Sequence, residues 1–263
     1  MDLGLKGKRA LVLAASRGLG YACALGLARE GCAVVLCSRD EQRATEAAQR
    51  IRDETGAEVH AVSADVSREA EVQRLVKTAV ERMGGLEIVV HNAGGPPSGP
   101  FHSISTEQWR QAIDQNLLSF VWLVQAAAPE MAKAGYGRVI AITSSSIKQP
   151  IPGLLLSNAT RTGVLGIVRT LAKELGPQKI LVNTVAPGRI ATERVEELDR
   201  ANAERSGRPL KDVQNESLAS IPLGRLGEPA ELANVVVYLA SQAASYLNGV
   251  AIQVDGGKLD ALQ

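Results

Sequence analysis

The stretch Arg9–Gly31, RALVLAASRGLGYACALGLAREG, decides the fold. Arg9 to Leu13 is a short apolar run that reads as a strand. AASRGLG follows as a glycine-bearing turn, and YACALGLAREG continues as a helix. Strand, turn and helix in this order open a dinucleotide-binding βαβ unit. The turn lets backbone approach a phosphate, and the helix start offers free N–H groups and a partial positive charge. A glycine turn kept only for packing would read the same way, so the rest of the chain has to arbitrate.

Working outward, strands and helices keep alternating. VVLCS reads as a second strand, DEQRATEAAQRIRDETG as a charged helix with Asp40 at its N-cap, and AEVHAVSA as a third strand. REAEVQRLVKTAVERMG is amphipathic, and LEIVVHNAG is the fourth strand. Such alternation predicts a parallel sheet with helices on both faces, and the right-handed crossover rule makes it doubly wound. No repeat, low-complexity tract or linker interrupts it, so 1–263 reads as one α/β domain, a length that about 250 residues commonly fill.

Composition narrows the class. The chain is 45% apolar and 22% charged, enough to bury a full core. A net charge of +1 with dispersed lysines and arginines gives no field for nucleic acid. No apolar run reaches membrane-spanning length, and the first residues lack a signal-peptide layout. Cys23, Cys32 and Cys37 form no redox pair and read as buried thiols. His60, His91 and His102 have no metal-ligand spacing. The chain therefore reads as cytoplasmic and metal-free.

Further along come AEVHAVSADVS, LEIVVHNAGG, a helix holding Asn116, GRVIAITSSS, SNATR, LVNTVAPGRIAT and GVAIQVDGG. In this order and at these spacings the chain resembles the short-chain dehydrogenase/reductase family, 3-oxoacyl-ACP reductases in particular, over nearly its whole length. The resemblance implies a single Rossmann-like domain with seven parallel strands in the order 3-2-1-4-5-6-7. It also implies a substrate lid around 189–229, where a charged stretch follows the sixth strand; a solvated helical pair is the plainer reading of that stretch. Homodimers or homotetramers are implied too. The Ser157 helix, with Leu154, Leu155, Leu165, Ile167 and Leu171, carries more apolar surface than one sheet face needs.

The resemblance assigns a cofactor site residue by residue. Where the family has Thr-Gly, then three residues, then Gly-x-Gly, this chain has Leu13-Ala14, Ala15, Ser16, Arg17, Gly18, Leu19 and Gly20. The first glycine is thus Ala14, whose methyl is tolerable at negative φ. Asp65 and Val66 match the adenine position. Asn92, Ala93 and Gly94 match the segment beside the cofactor, and Pro187, Gly188 and Thr192 the piece that meets the nicotinamide amide. The second strand ends Cys37-Ser38-Arg39, and Arg17 lies in the turn. Two guanidiniums there could clamp a 2′-phosphate, so NADP is expected ahead of NAD. Asp40, twenty residues after Gly20, would argue for NAD but reads as a helix cap.

The same resemblance assigns catalytic positions to Asn116 and Ser144, with Ser145 and Ser146 as register alternatives. Its Tyr-x-x-x-Lys pair falls on Ser157 and Arg161, thirteen and seventeen residues after Ser144. At i and i+4 both face one side of a helix. A serine is far less acidic and shorter than a phenol; Arg161 can still hydrogen-bond the cofactor's ribose hydroxyls and so counts among the cofactor-binding residues, but arginine is no proton source near neutral pH. Lys148 and Tyr136 are conceivable substitutes, Tyr136 being at the sheet's wrong end. Three readings follow: an NADP-dependent oxidoreductase of small carbonyls or alcohols with a divergent centre, a non-catalytic nucleotide binder, and a lyase- or dehalogenase-like relative that uses no nicotinamide.

Overall fold

In a computed structural model, which describes residues 2–261, the chain alternates as expected. Strand β1 (Arg9–Val12) runs into helix α1 (Gly18–Arg29), followed by β2 (Ala33–Ser38), α2 (Glu41–Thr55), β3 (Val59–Ser63) and α3 (Glu69–Met83). The second half holds β4 (Ile88–His91), α4 (Thr106–Ile113), α5 (Ser119–Ala134), β5 (Gly137–Ile142), α6 (Leu155–Leu175) and β6 (Ile180–Pro187). Helices α7 (Glu193–Ser206), α8 (Leu210–Ala219) and α9 (Pro229–Ala240) precede β7 (Ala251–Val254). All seven strands pair in parallel in the order β3-β2-β1-β4-β5-β6-β7. The order reverses beside β1, which opens a crevice at the carboxyl ends of β1 and β4.

Two cores sandwich the sheet. On one face α1, α2 and α9 bury Cys23, Leu27, Ala47, Ile51, Leu232 and Val236 against alternate strand residues such as Val12 and Val34. On the other, α3, α5 and α6 bury Leu75, Phe120, Leu123, Val164 and Val168 against Leu11, Val35 and Val139. Strands β4 and β5 are buried along their whole length, as central strands covered on both faces must be. The three cysteines are free and buried, and burial pushes the Cys32 and Cys37 thiols up to about 12.

Local signals act where the sequence put them. The Asp40 carboxylate accepts from the Arg43 N–H at 3.0 Å and caps α2. One element departs from expectation. The long helix around Asn116 is interrupted by a π-helical turn, Asp114–Leu118, between α4 and α5. Among the described residues no helix is long and apolar enough to cross a membrane.

Candidate functional site

The loops after β1, β2, β3, β4, β5 and β6 wall a single cavity of about 630 Å³. At one end lie Ser38, Arg39, Asp65 and Val66; at the other lie Ser144, Ser157, Arg161, Pro187 and Gly188. Ala14, Ser16, Arg17, Gly18 and Leu19 line its middle with Asn92, Ala93, Gly94 and Thr192. Two expected residues stand behind the wall. Gly20 is covered by the turn it supports, and Asn116 is 1% exposed within the π-helical turn.

The glycine turn is intact in shape although its sequence is altered. Gly18 has φ +58°, and a Cβ on Gly20 would lie 2.5 Å from the Ala14 carbonyl oxygen and 2.8 Å from Asn92 Nδ2. Asn92 Nδ2 itself donates to the Ala14 carbonyl at 3.1 Å, tying β4 to the turn. Ala14 overturns the expectation of a tolerable methyl at negative φ, because its φ is +48°. The turn's curvature is set by its neighbours, and the alanine is carried into the left-handed region at about 1–2 kcal/mol. Helix α1 begins without any side-chain cap. Its first N–H groups are therefore left for an anion at the cavity wall.

Three arginines meet at the end of the cavity near β2. Arg39 and Arg17 both line the cavity, and the Arg17 guanidinium pairs with Glu193 at the start of α7. Arg43 is the second cation beside Arg39, held at 3.2 Å by the capping Asp40. Reading the sequence missed Arg43, although its spacing, four residues after Arg39 in the first turn of α2, was a usable signal. The Asp65 carboxylate is taken up locally, accepting from the Ser67 N–H at 3.1 Å and hydroxyl at 2.7 Å.

At the other end, the three serines part company. Ser144 lines the cavity, whereas Ser145 and Ser146 are buried away from it. Ser144 Oγ accepts from the Ser146 N–H at 3.1 Å, which leaves its own proton free to donate into the cavity. Ser157 and Arg161 lie one helical turn apart on α6 and both line the wall. The Arg161 guanidinium is held by backbone. Nη1 donates to the Ile142 carbonyl at 3.0 Å and the Thr143 carbonyl at 2.9 Å, and Nη2 reaches the Ala93 carbonyl at 3.5 Å. Burial, with the charge of Arg194 added, pulls its pKa down to about 10. It remains a cation at neutral pH.

The substitutes considered for a missing phenol do not reach this place. Tyr136 is buried at the opposite sheet end, donating to the Ala240 carbonyl at 2.7 Å, and Lys148 does not line the cavity. His91 is buried behind the site, its Nε2 2.8 Å from Ser119 Oγ. Burial and the Arg161 charge hold it neutral, its pKa lowered to about 3. Among the described residues no phenol, imidazole or ammonium lines the cavity, and no cluster of side chains could hold a metal ion.

The roof is α7 alone. Glu193, Arg194, Val195, Glu197 and Leu198 face the cavity, while α8 packs outside. A buried ion pair anchors α7 to the turn after β6, with Arg189 Nη2 at 2.6 Å from both Asp199 oxygens. Two arginines three turns apart on α7 rest on glycines opposite. A Cβ on Gly95 would lie 2.6 Å from Arg194 Nε, and one on Gly153 would lie 2.5 Å from Arg205 Nη1.

These features match known proteins along the whole chain. The profile described as enoyl-(acyl carrier protein) reductase covers residues 13–258. The chain is a short-chain dehydrogenase/reductase. Within this family, it is 32% identical to the 3-oxoacyl-acyl-carrier-protein reductase of Aquifex aeolicus, over 98% of this chain and 99% of that one. It is 36% identical to the human dehydrogenase/reductase SDR family member 4, over 96% and 88%. The crystal structure of L-sorbose reductase from Gluconobacter frateurii, complexed with NADPH and L-sorbose, superposes with a TM-score of 0.94 at 32% identity, covering all of both chains. This short-chain dehydrogenase/reductase thus keeps its relatives' fold while carrying Ser157 and Arg161 on α6.

Proposed function

We propose that the chain is an NADP-dependent oxidoreductase that interconverts a small carbonyl compound and its alcohol, with a divergent proton-handling centre. The observation that carries this reading is the continuity of the cavity from Arg39 and Arg43, past the glycine turn, to Ser144, Ser157 and Arg161. The uncapped start of α1 and the space kept by Gly20 suit a dinucleotide's phosphates, and Arg39 with Arg43 suits a 2′-phosphate. The NADPH held by the Gluconobacter relative supports the same choice. NADPH, when bound, supplies the hydride.

The residues of this chain then orient and polarise. Ser144 donates to the substrate oxygen, with Ser157 as a second hydroxyl on the same wall. Arg161, fixed by the Ile142 and Thr143 carbonyls, offers a stationary positive charge to an oxygen that gains electron density. It gives up no proton at neutral pH, and a serine hydroxyl is a weak acid. The buried Asn116 Oδ1 has no protein partner, which suits a water on the way to the site. Acid catalysis typically contributes about 10²–10⁴-fold, so turnover on ordinary ketones is expected to fall short by that order.

A non-catalytic nucleotide binder is the second reading, favoured by the lack of any phenol, imidazole or ammonium on the described wall. NADPH consumption on a panel of aldehydes and ketones separates the two. Slow turnover is expected, raised by Ser157→Tyr with Arg161→Lys and less by Ser157→Tyr alone, since a lysine tunes the phenol. Melting temperatures control for overpacking by the ring. Robust turnover that survives Ser157→Ala would remove position 157 from the chemistry, and no turnover by any variant would favour the binder.

The protein is further proposed to work in the cytoplasm as a homodimer or homotetramer. Leu155, Leu165, Ile167 and Leu171 of α6 are only half-buried, and a Cβ on Gly166 would meet nothing within 4 Å, leaving room for a partner helix. A monomer by light scattering at micromolar concentration would contradict the assembly.

A further inference from the structure

The cavity wall can offer hydrogen bonds but holds no proton ready to transfer. Its four described carboxylates are all engaged as acceptors. Asp40 takes Arg43, Glu193 takes Arg17, Glu197 takes Arg194 at 3.3 Å, and Asp65 accepts from the Ser67 N–H and hydroxyl. The imidazole behind the site is committed as well. Ser119 Oγ gives its one hydrogen to the Gln115 carbonyl at 2.6 Å, so His91 Nε2 must be the donor across the 2.8 Å to that oxygen. The His91 Nδ1 is then a bare lone pair, sealed from solvent and without a partner.

At the reacting end remain two hydroxyls and one fixed charge. Ser144 and Ser157 line the wall, and Arg161, one turn beyond Ser157, is held by the Ile142 and Thr143 carbonyls. The edge that these carbonyls leave free suits the cofactor's ribose hydroxyls, so Arg161 acts on the substrate through its field alone. Such a set stabilises negative charge on an oxygen. It does not protonate that oxygen, because a serine is a weak acid and the guanidinium keeps its protons at neutral pH.

A wall of this kind selects by basicity. Hydride added to a carbonyl carbon pushes the π pair onto oxygen. The resulting alkoxide then takes its proton from water, which leaves hydroxide to the buffer. The benefit of an acid grows with the basicity of the oxygen it serves. An unactivated ketone therefore loses most here, and a carbonyl whose alkoxide is a weak base loses least. We propose that the substrate carries a second carbonyl next to the reacting one, as in an α-keto ester or an α-diketone, and that its alkoxide forms unprotonated and is quenched by solvent. The neighbouring carbonyl withdraws electrons from the alkoxide and makes the carbon a better hydride acceptor. Leu154, Val195 and Leu198 line the same cavity and suit a hydrocarbon substituent. The proposal rests on the oxidoreductase reading, since it needs the hydride of NADPH.

Methyl benzoylformate has the flanking carbonyl, and butyrophenone is a counterpart of similar length without one. With NADPH, kcat/KM is expected to favour the keto ester. That preference should shrink about ten-fold or more in the Ser157→Tyr, Arg161→Lys double variant, where a phenol serves the oxygen. Activation alone would leave the ratio equal in the two proteins and would overturn the proposal. A second readout uses the unmodified protein. NADPH deuterated at the transferring position should slow reduction of the keto ester, and heavy water in place of light water should not. A slowing of about two-fold or more in heavy water would place an acid in the same step and overturn the proposal too. If circular dichroism shows the double variant unfolded, the isotope pair decides. Similar turnover of both ketones sinks this substrate class and leaves the oxidoreductase reading standing. NADPH binding without turnover of either sinks the oxidoreductase reading itself.

Discussion

At the ends of β1, β2 and β3 the cavity wall is made of glycines, short hydroxyls and cations paired close to the surface, with Asp40 on Arg43 and Glu193 on Arg17. At the ends of β4, β5 and β6 it is made around one deeply buried guanidinium held by backbone. The first region keeps the architecture that a dinucleotide needs, with Leu13-Ala14 where the sequence resemblance implies Thr-Gly. The second keeps the scaffold and carries Ser157 and Arg161 where the sequence resemblance implies a proton-handling Tyr-x-x-x-Lys pair. Backbone shape can thus be retained by neighbours when a residue type is lost, as Gly18, Gly20 and Asn92 do for Ala14. Acidity is harder to replace, because among the described residues no phenol, imidazole or ammonium lines the cavity.

The largest expected effect falls in the second region. Arg161→Leu leaves the Ile142 and Thr143 carbonyls without their buried donor and should destabilise the protein by about 3 kcal/mol. Arg161→Lys should cost much less. A Leu variant as stable as the parent in urea melts would show that the guanidinium is not structural.

Next is a reversal of charge in the first region. Arg39→Asp should weaken NADPH about 100-fold and NADH far less, since it sets a carboxylate against the 2′-phosphate. Fluorescence titrations measure both. An equal loss for the two cofactors would mean that Arg43 alone reads the phosphate.

His91 joins the regions to pH. Its folded pKa is lowered from 6.5 to about 3 by burial and by Arg161. Between those values the unfolded chain binds a proton that the folded one refuses. Stability is therefore unaffected above pH 6.5 and falls as pH drops below it, with a limiting slope of about 1.4 kcal/mol per pH unit from this group. His91→Asn should flatten the fall of melting temperature across that window. An unchanged profile would place the acid sensitivity elsewhere.

The smallest effect sharpens the role of Ala14. With φ at +48°, Ala14→Gly relieves strain in the folded state but loosens the unfolded chain, for a net gain of about 0.5–1 kcal/mol. NADPH affinity should stay the same or improve. Destabilisation by glycine would show that the methyl has packing partners that outweigh its strain.

What could be read in the chain follows the range of the forces involved. Strand and helix alternation, the Asp40 cap and the wall around Ser38, Asn92 and Ser144 depend on local pattern and fixed offsets, and they were legible. The π-helical turn at Asn116 was not, because a single extra residue per turn leaves no mark in the hydrophobic period. Arg17 reaching Glu193 across 176 residues was equally invisible, and so was Arg43 lining the cavity beside Arg39. Ser157 and Arg161 could be read as a substitution. That Arg161 would be sealed against β5 carbonyls is a tertiary fact. The sign of φ at Ala14 also needed the fold, since alanine alone favours the opposite one.

Titration of the unmodified protein with NADPH and NADH, followed by quenching of its intrinsic fluorescence, tests most directly the claim that the binding region is preserved while the reacting region is rebuilt. Saturable binding of both is predicted, tighter for NADPH, and unchanged when Ser157→Ala and Arg161→Lys are measured beside it. Absence of binding, or a preference for NADH, would contradict the account at its root.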